Sequence, residues 1–162
     1  MADIPDFAQV LGPFVAAIPE AGRPGFLAFL ERAAASRYRA WAAEFPPLSE
    51  GLLACAAREE EIATRAERLF PLDAELREAI KAQGPGAGAA FAAVFAGLSV
   101  AEQMRLQAGA ERQGGAAWRA MAAQQEDQAA RSELEACANL EEASATHLDT
   151  VLADPSSAQL LG

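Results

Sequence analysis

Cysteines, basic residues and long apolar runs are all scarce in this sequence, and each scarcity removes a class of function. The two cysteines, Cys55 and Cys137, lie far apart and neither has a C-x-x-C partner, so zinc-ribbon and haem-attachment patterns are absent. Both read as reduced thiols. Thirteen Lys and Arg stand against 23 Asp and Glu, for a net charge of −10. Binding to nucleic acid draws its affinity from clustered cations on a phosphate backbone, and no basic stripe is present to supply it. No stretch stays apolar for the roughly 18 residues a membrane span needs, so no membrane partner is expected. The opening MADIPDFAQVLGPF lacks the basic and apolar regions of a secretory signal, which makes a cytoplasmic location the expectation. No phosphate loop, dinucleotide fingerprint or nucleophile elbow is visible either.

What is abundant is alanine, within a hydrophobic share of 52%. Alanine favours helix and lets helices approach closely, and 162 residues suit one domain. The punctuation predicts four long helices. The first runs from about Pro24 to Phe45 and is stopped by Pro46 and Pro47; the second runs from Ser49 to Phe70, before Pro71. Ser99 and Glu102 have the spacing of a capping box and open the third, which reaches about Gln124. The fourth occupies about Asp127 to Ala153, ahead of Asp154 and Pro155. Residues 1–23 form an accessory segment, with a short helix from Phe7 to Ile18 interrupted at Gly12 and Pro13. Between Pro71 and Leu98 the pattern predicts a short helix over Asp73 to Gln83, a break at GPGAG and a small apolar piece. Residues 154–162 read as a frayed tail. Short turns join the first and last helix pairs, and a long crossover joins the middle two.

Each long helix carries one glutamate on its otherwise apolar seam. In the second helix the seam is Leu48, Leu52, Cys55, Glu59, Ile62, Ala66 and Leu69, and in the fourth Leu134, Cys137, Glu141, Ser144, Leu148 and Val151. The third gives Met104, Gln107, Glu111, Gly114, Trp118 and Met121, and the first gives Leu27, Glu31, Ala34, Tyr38, Trp41 and Phe45. An ionised carboxylate in an apolar interior needs a cation, a basic partner or a shared proton. An internal repeat accompanies the pattern: ACAAREEEIA around Cys55 aligns with ACANLEEASA around Cys137, and ERAAASRYRAWAA from Glu31 aligns with ERQGGAAWRAMAA from Glu111.

This layout, over about 24–153, resembles the ferritin-like superfamily of di-iron and di-manganese carboxylate proteins, which includes ferritins and rubrerythrins. The resemblance implies an all-α, up-down four-helix bundle with a long crossover and short accessory helices. It also implies a metal site in which Glu31 and Glu111 match the single glutamates, and Glu59 and Glu141 match those of the Glu-x-x-His pairs. The chain departs from the pattern where histidine is required, having Ile62 and Ser144 instead, and its one histidine, His147, lies on the flank of the same face. A carboxylate-only site would take Mn²⁺, Fe²⁺ or Mg²⁺. The activity the resemblance implies is that of an oxidoreductase or oxygenase of the di-metal carboxylate type, and a homodimer formed through the long helices is common in the superfamily.

Other readings stay open. The glutamates can instead pair with Arg37, Arg58 or Arg112, leaving a metal-free ligand-binding or protein-interaction module with an unidentified small-molecule ligand. Tyr38, Cys55, Ile62, Trp118, Cys137, Ser144 and His147 are the candidate pocket-lining residues. Each also has a purely structural reading: thiols as small apolar filler, aromatics as bulk for an alanine-rich core, and His147 as a packing residue near a helix end.

Overall fold

The computed structural model describes residues 3–161. Met1 and Ala2 of the accessory segment and Gly162 of the tail lie outside the described residues. Among those described the fold is all-helical, with seven α-helices and no strand: α1 (Phe7–Ala16), α2 (Arg23–Glu44), α3 (Ser49–Leu69), α4 (Ala74–Phe95), α5 (Val100–Ala123), α6 (Gln128–Ala153) and α7 (Pro155–Leu161). No helix among them is long and apolar enough to cross a membrane.

The ends of the long helices follow from local chemistry. Pro24 sits in the first turn of α2, where its missing N–H costs nothing. Phe45 closes that helix ahead of a 3₁₀ turn over Pro46–Leu48. Ser99 and Glu102 form a complete capping box at the start of α5. The Asp127 carboxylate accepts from the Ala130 amide at the start of α6.

Three expectations are corrected. The segment after Pro71 is not three pieces but one helix, α4, running through Gly84, Pro85 and Gly86. A proline in a helix interior removes one backbone bond. Packing offsets that cost, because Ile80, Ala87 and Phe95 are buried against α1, α2 and α5. The glycines beside it admit rings: a Cβ on Gly84 would lie 2.9 Å from Phe29 Cζ, and one on Gly86 2.7 Å from Phe14 Cε1. Likewise α1 passes unbroken through Gly12 and Pro13, and it packs on α4. The tail is not frayed over residues 155–161. The Asp154 carboxylate accepts from the amide and hydroxyl of Ser157, so α7 starts afresh and buries Leu161 in the core.

The principal packing pairs are α2 with α3 and α5 with α6, and α3 also lies against α6. Their shared core is divided in two. One cluster gathers Ala35, Tyr38, Leu52, Cys55, Met104, Ala108, Ala145 and Leu148. The other gathers Ala28, Ile62, Ala66, Trp118, Leu134 and Cys137. On each of the four helices one glutamate lies in sequence between the residues of the two clusters, so a polar layer separates two apolar ones.

Candidate metal centre

That layer consists of Glu31, Glu59, Glu111 and Glu141. Glu59, Glu111 and Glu141 are buried, at 0%, 2% and 1% exposure, and Glu31 is half-buried. Carboxylate oxygens from Glu31, Glu59 and Glu141 all lie within 4.8 Å of one another. Glu111 stands outside this trio, and its charge acts on Glu31, Glu59 and Glu141.

Each carboxyl is oriented by a neutral donor. Ser144 Oγ donates to Glu59 Oε1 at 2.8 Å. Trp118 Nε1 donates to Glu141 Oε1 at 3.0 Å and to Glu31 Oε1 at 3.3 Å. Tyr38 Oη and Gln107 Nε2 both donate to Glu111 Oε1, each at 2.7 Å. Glu59 Oε2 and Glu141 Oε2 have no partner although both are buried. Space for Glu141 is made by Gly114, where a Cβ would lie 2.5 Å from Glu141 Oε1.

The arginines that could neutralise the layer are engaged elsewhere. Arg37 donates to Gln107, Arg58 to the Cys55 thiol at 3.4 Å, and Arg112 to Asp149. Among the described residues none of the four glutamates forms an ion pair with Lys, Arg or His. Burial, reinforced by neighbouring carboxylates, therefore raises Glu31 to about 8 and Glu59 to about 10. It lifts Glu141 well above the ordinary carboxylate range for the same reasons. Tyr38 is also raised well above its usual value, first by burial and then by Glu111 and Glu59. Among the described residues no cation pairs with these carboxyls, and Arg58 offsets the rise at Glu59 only in part.

The candidate pocket-lining residues surround this layer in the core. Cys55 and Tyr38 belong to one apolar cluster, and Ile62, Trp118 and Cys137 to the other. The thiols are unpaired and buried, and burial raises Cys55 to about 11 and Cys137 to about 12. Ser144 is fully buried on Glu59. His147 is half-buried against Gly51, its pKa lowered by burial and by Arg58, and its Nε2 has no partner.

None of these seven side chains lines the cavity that adjoins the glutamate layer. That cavity, of about 510 Å³, lies between α1, α2, α4 and α5, and Glu31, Glu111 and Glu141 form part of its wall. The rest is mainly apolar, with Phe7, Leu11, Leu27, Leu30 and Phe91, and two cationic side chains, Arg23 and Arg37, also line it. Sequence reasoning did not find this cavity, because about a third of its wall comes from α1 and α4, the two helices read from sequence as broken by glycine and proline. The signal was present as glycines in otherwise apolar stretches, which read as breaks rather than as clearance. No family model, curated protein or solved structure matches the chain, so its function is read from this geometry.

Proposed function

We propose that this chain is a metal-binding protein on a ferritin-like four-helix bundle formed by α2, α3, α5 and α6, with Glu31, Glu59 and Glu141 as the primary ligands. The observation that carries this reading is the trio of carboxylate oxygens within 4.8 Å of one another, two of whose residues have a buried oxygen without a partner. A buried carboxylate with no counter-cation is costly, and a divalent ion supplies what the protein's own arginines do not. An all-oxygen donor set suits Mn²⁺ or Fe²⁺ and also Mg²⁺, and is a poor match for zinc or copper. Glu111, whose charge is felt at all three, would complete the set.

The donors around the site support the reading. Trp118, Ser144, Tyr38 and Gln107 fix the rotation of the four carboxyls, as the groups behind metal ligands generally do. The donors also cross between the helix pairs. Tyr38 of α2 serves Glu111 of α5, while Trp118 of α5 serves Glu31 of α2. Tyr38 stands seven positions after Glu31 and Trp118 seven after Glu111, so a duplicated hairpin folded on its own copy would give this reciprocity. A bound ion would supply Lewis acidity to a molecule in the adjoining cavity. The buried, unpaired thiols suit a reducing, cytoplasmic setting.

The test is elemental analysis of the chelator-stripped, untagged protein after loading with Mn²⁺ or Fe²⁺ and removal of excess ion. It is run beside the isosteric double variant Glu59→Gln, Glu141→Gln. Near-stoichiometric metal in the protein and its loss in the variant is the expected result. Absence of retained metal in both overturns the proposal.

A further inference from the structure

The cavity carries features that a metal site does not explain. Gly12 of α1 and Gly88 of α4 both line it, and a Cβ built on either would meet nothing within 4 Å. Glycine within a helix costs about 1 kcal/mol relative to alanine, and at these two positions no neighbour demands it. Neither needs a left-handed backbone, since Gly97 is the one residue with positive φ among those described. Two helices thus give up stability at positions on the cavity wall where the space beside the backbone is open, Gly12 half-buried and Gly88 exposed. Its volume of about 510 Å³ falls in the range of about 300–1,000 Å³ in which small-molecule pockets lie.

The second feature is Arg37. Its guanidinium lies over the rings of Phe91 and Phe95, 4.8 and 4.3 Å from their centroids. One nitrogen donates to Gln107 Oε1 at 2.6 Å, and Gln107 in turn donates to Glu111. The glutamine therefore stands between the cation and the nearest carboxylate of the layer. Among the described residues Arg37 forms no ion pair, although six other arginines do, namely Arg32, Arg39, Arg65, Arg68, Arg112 and Arg119. A guanidinium offers five N–H donors in a planar fork matched to a carboxylate, and the protein uses few of them here. Stacking on two rings fixes the plane of the fork in advance.

We infer that the cavity binds an organic carboxylate with an apolar body, its head paired with Arg37 and its hydrocarbon part in the space kept open by Gly12 and Gly88. The apolar walls from Phe7, Leu11, Leu30 and Phe91 exclude a strongly polar body such as a sugar or nucleotide. Arg37, half-buried and without an ion pair among the described residues, is the seat of an anionic head, and exposed Arg23 draws anions to the rim. The inference goes beyond the metal site and does not depend on it, because Arg37, Gly12 and Gly88 are not among its ligands.

The test titrates chelator-stripped, full-length protein with decanoate, decanol and decylamine by calorimetry. Decanoate is expected to bind saturably at one site, about tenfold more tightly than decanol, with decylamine weakest. Arg37→Ala removes the preference for decanoate and leaves decanol binding intact. Gly88→Phe fills the cavity, abolishes binding of all three and keeps or raises the melting temperature. Should Arg37→Ala fail to fold, the head-group series and Gly88→Phe decide. Absence of saturable decanoate binding, equal affinity for the three heads, preference for the amine, or unchanged binding in Gly88→Phe each overturns the inference. Because no metal is present, these outcomes are separate from the success or failure of metal loading.

Discussion

A carboxyl cut off from water requires a donor, a proton or a cation, and the inward glutamates divide these unequally. Glu111 accepts from two donors on one oxygen, while Glu59 and Glu141 each have one oxygen satisfied and one without a partner. Glu141 is the most constrained, held by Trp118 on one side and allowed in by Gly114 on the other. Gly114→Ala places a methyl group where Glu141 Oε1 stands, 2.5 Å from it and 3.0 Å from the carboxyl carbon. The carboxyl must turn away, and the indole hydrogen bond goes with it. Metal affinity should fall about 10–100-fold, the usual scale for losing an orienting contact. Global stability should change little, because alanine gains about 1 kcal/mol of helix propensity against the local clash. Chemical denaturation beside metal titration separates the two, and unchanged affinity would remove Gly114 from the site. The inward direction of Glu59, Glu111 and Glu141 was legible from seam spacing, since residues three and four apart share a helix face. Their partners were not. Spacing does not say that Trp118 reaches across to Glu31, or that Arg37, a candidate partner for the glutamates, lies over Phe91 and Phe95 instead.

Among the elements, the four long helices were legible to within a residue or two because strong local signals bound them: Pro24, Pro46 and Pro47, the Ser99–Glu102 box and Asp127. The helices that were misread, α1, α4 and α7, are those whose stability is tertiary. Composition argues against α4 through Gly84, Pro85 and Gly86, yet Phe29 and Phe14 fill the clearance the glycines leave. For α7 the decisive contact is a single side chain. Leu161 is 6% exposed in the cluster of Tyr38, Met104 and Leu148, whereas its neighbour Leu160 is 47% exposed. Leu161→Ala should therefore destabilise the protein by about 1–3 kcal/mol, and Leu160→Ala should lie within about 0.5 kcal/mol of the parent. Urea denaturation of the pair measures this. A frayed tail would make both substitutions silent, so equal midpoints would remove α7 from the core.

At the scale of the whole molecule the polar layer ties stability to pH. Glu31 is raised to about 8 and Glu59 to about 10, both from an ordinary value near 4.5, and Glu141 is also raised well above that value. A carboxyl with a higher pKa in the fold than in the unfolded chain favours folding while protonated. Its contribution is complete below the unfolded value and disappears as pH rises toward the folded one. Each such group that is protonated in the fold and ionised in the unfolded chain lowers stability by about 1.4 kcal/mol per pH unit. Surface carboxylates such as Glu60, Glu142 and Asp154, whose pKa values are lowered by Arg39, Arg119 and Ser157 respectively, act in the opposite sense. Their effect is confined to pH below about 4. Metal-free protein should accordingly be most stable near pH 5 and melt progressively lower toward pH 9, by about 2–4 °C for each kcal/mol lost. Glu59→Gln should flatten that slope. Metal reverses the logic, because it binds the ionised carboxylates and competes with protons. At a free concentration one hundred times the dissociation constant, it adds about 2.7 kcal/mol. Melting curves from pH 5 to 9, with and without Mn²⁺, should therefore diverge as pH rises. A metal-free midpoint that climbs over that range would show that the layer is already ionised in the fold, and would contradict the electrostatics on which the metal site rests.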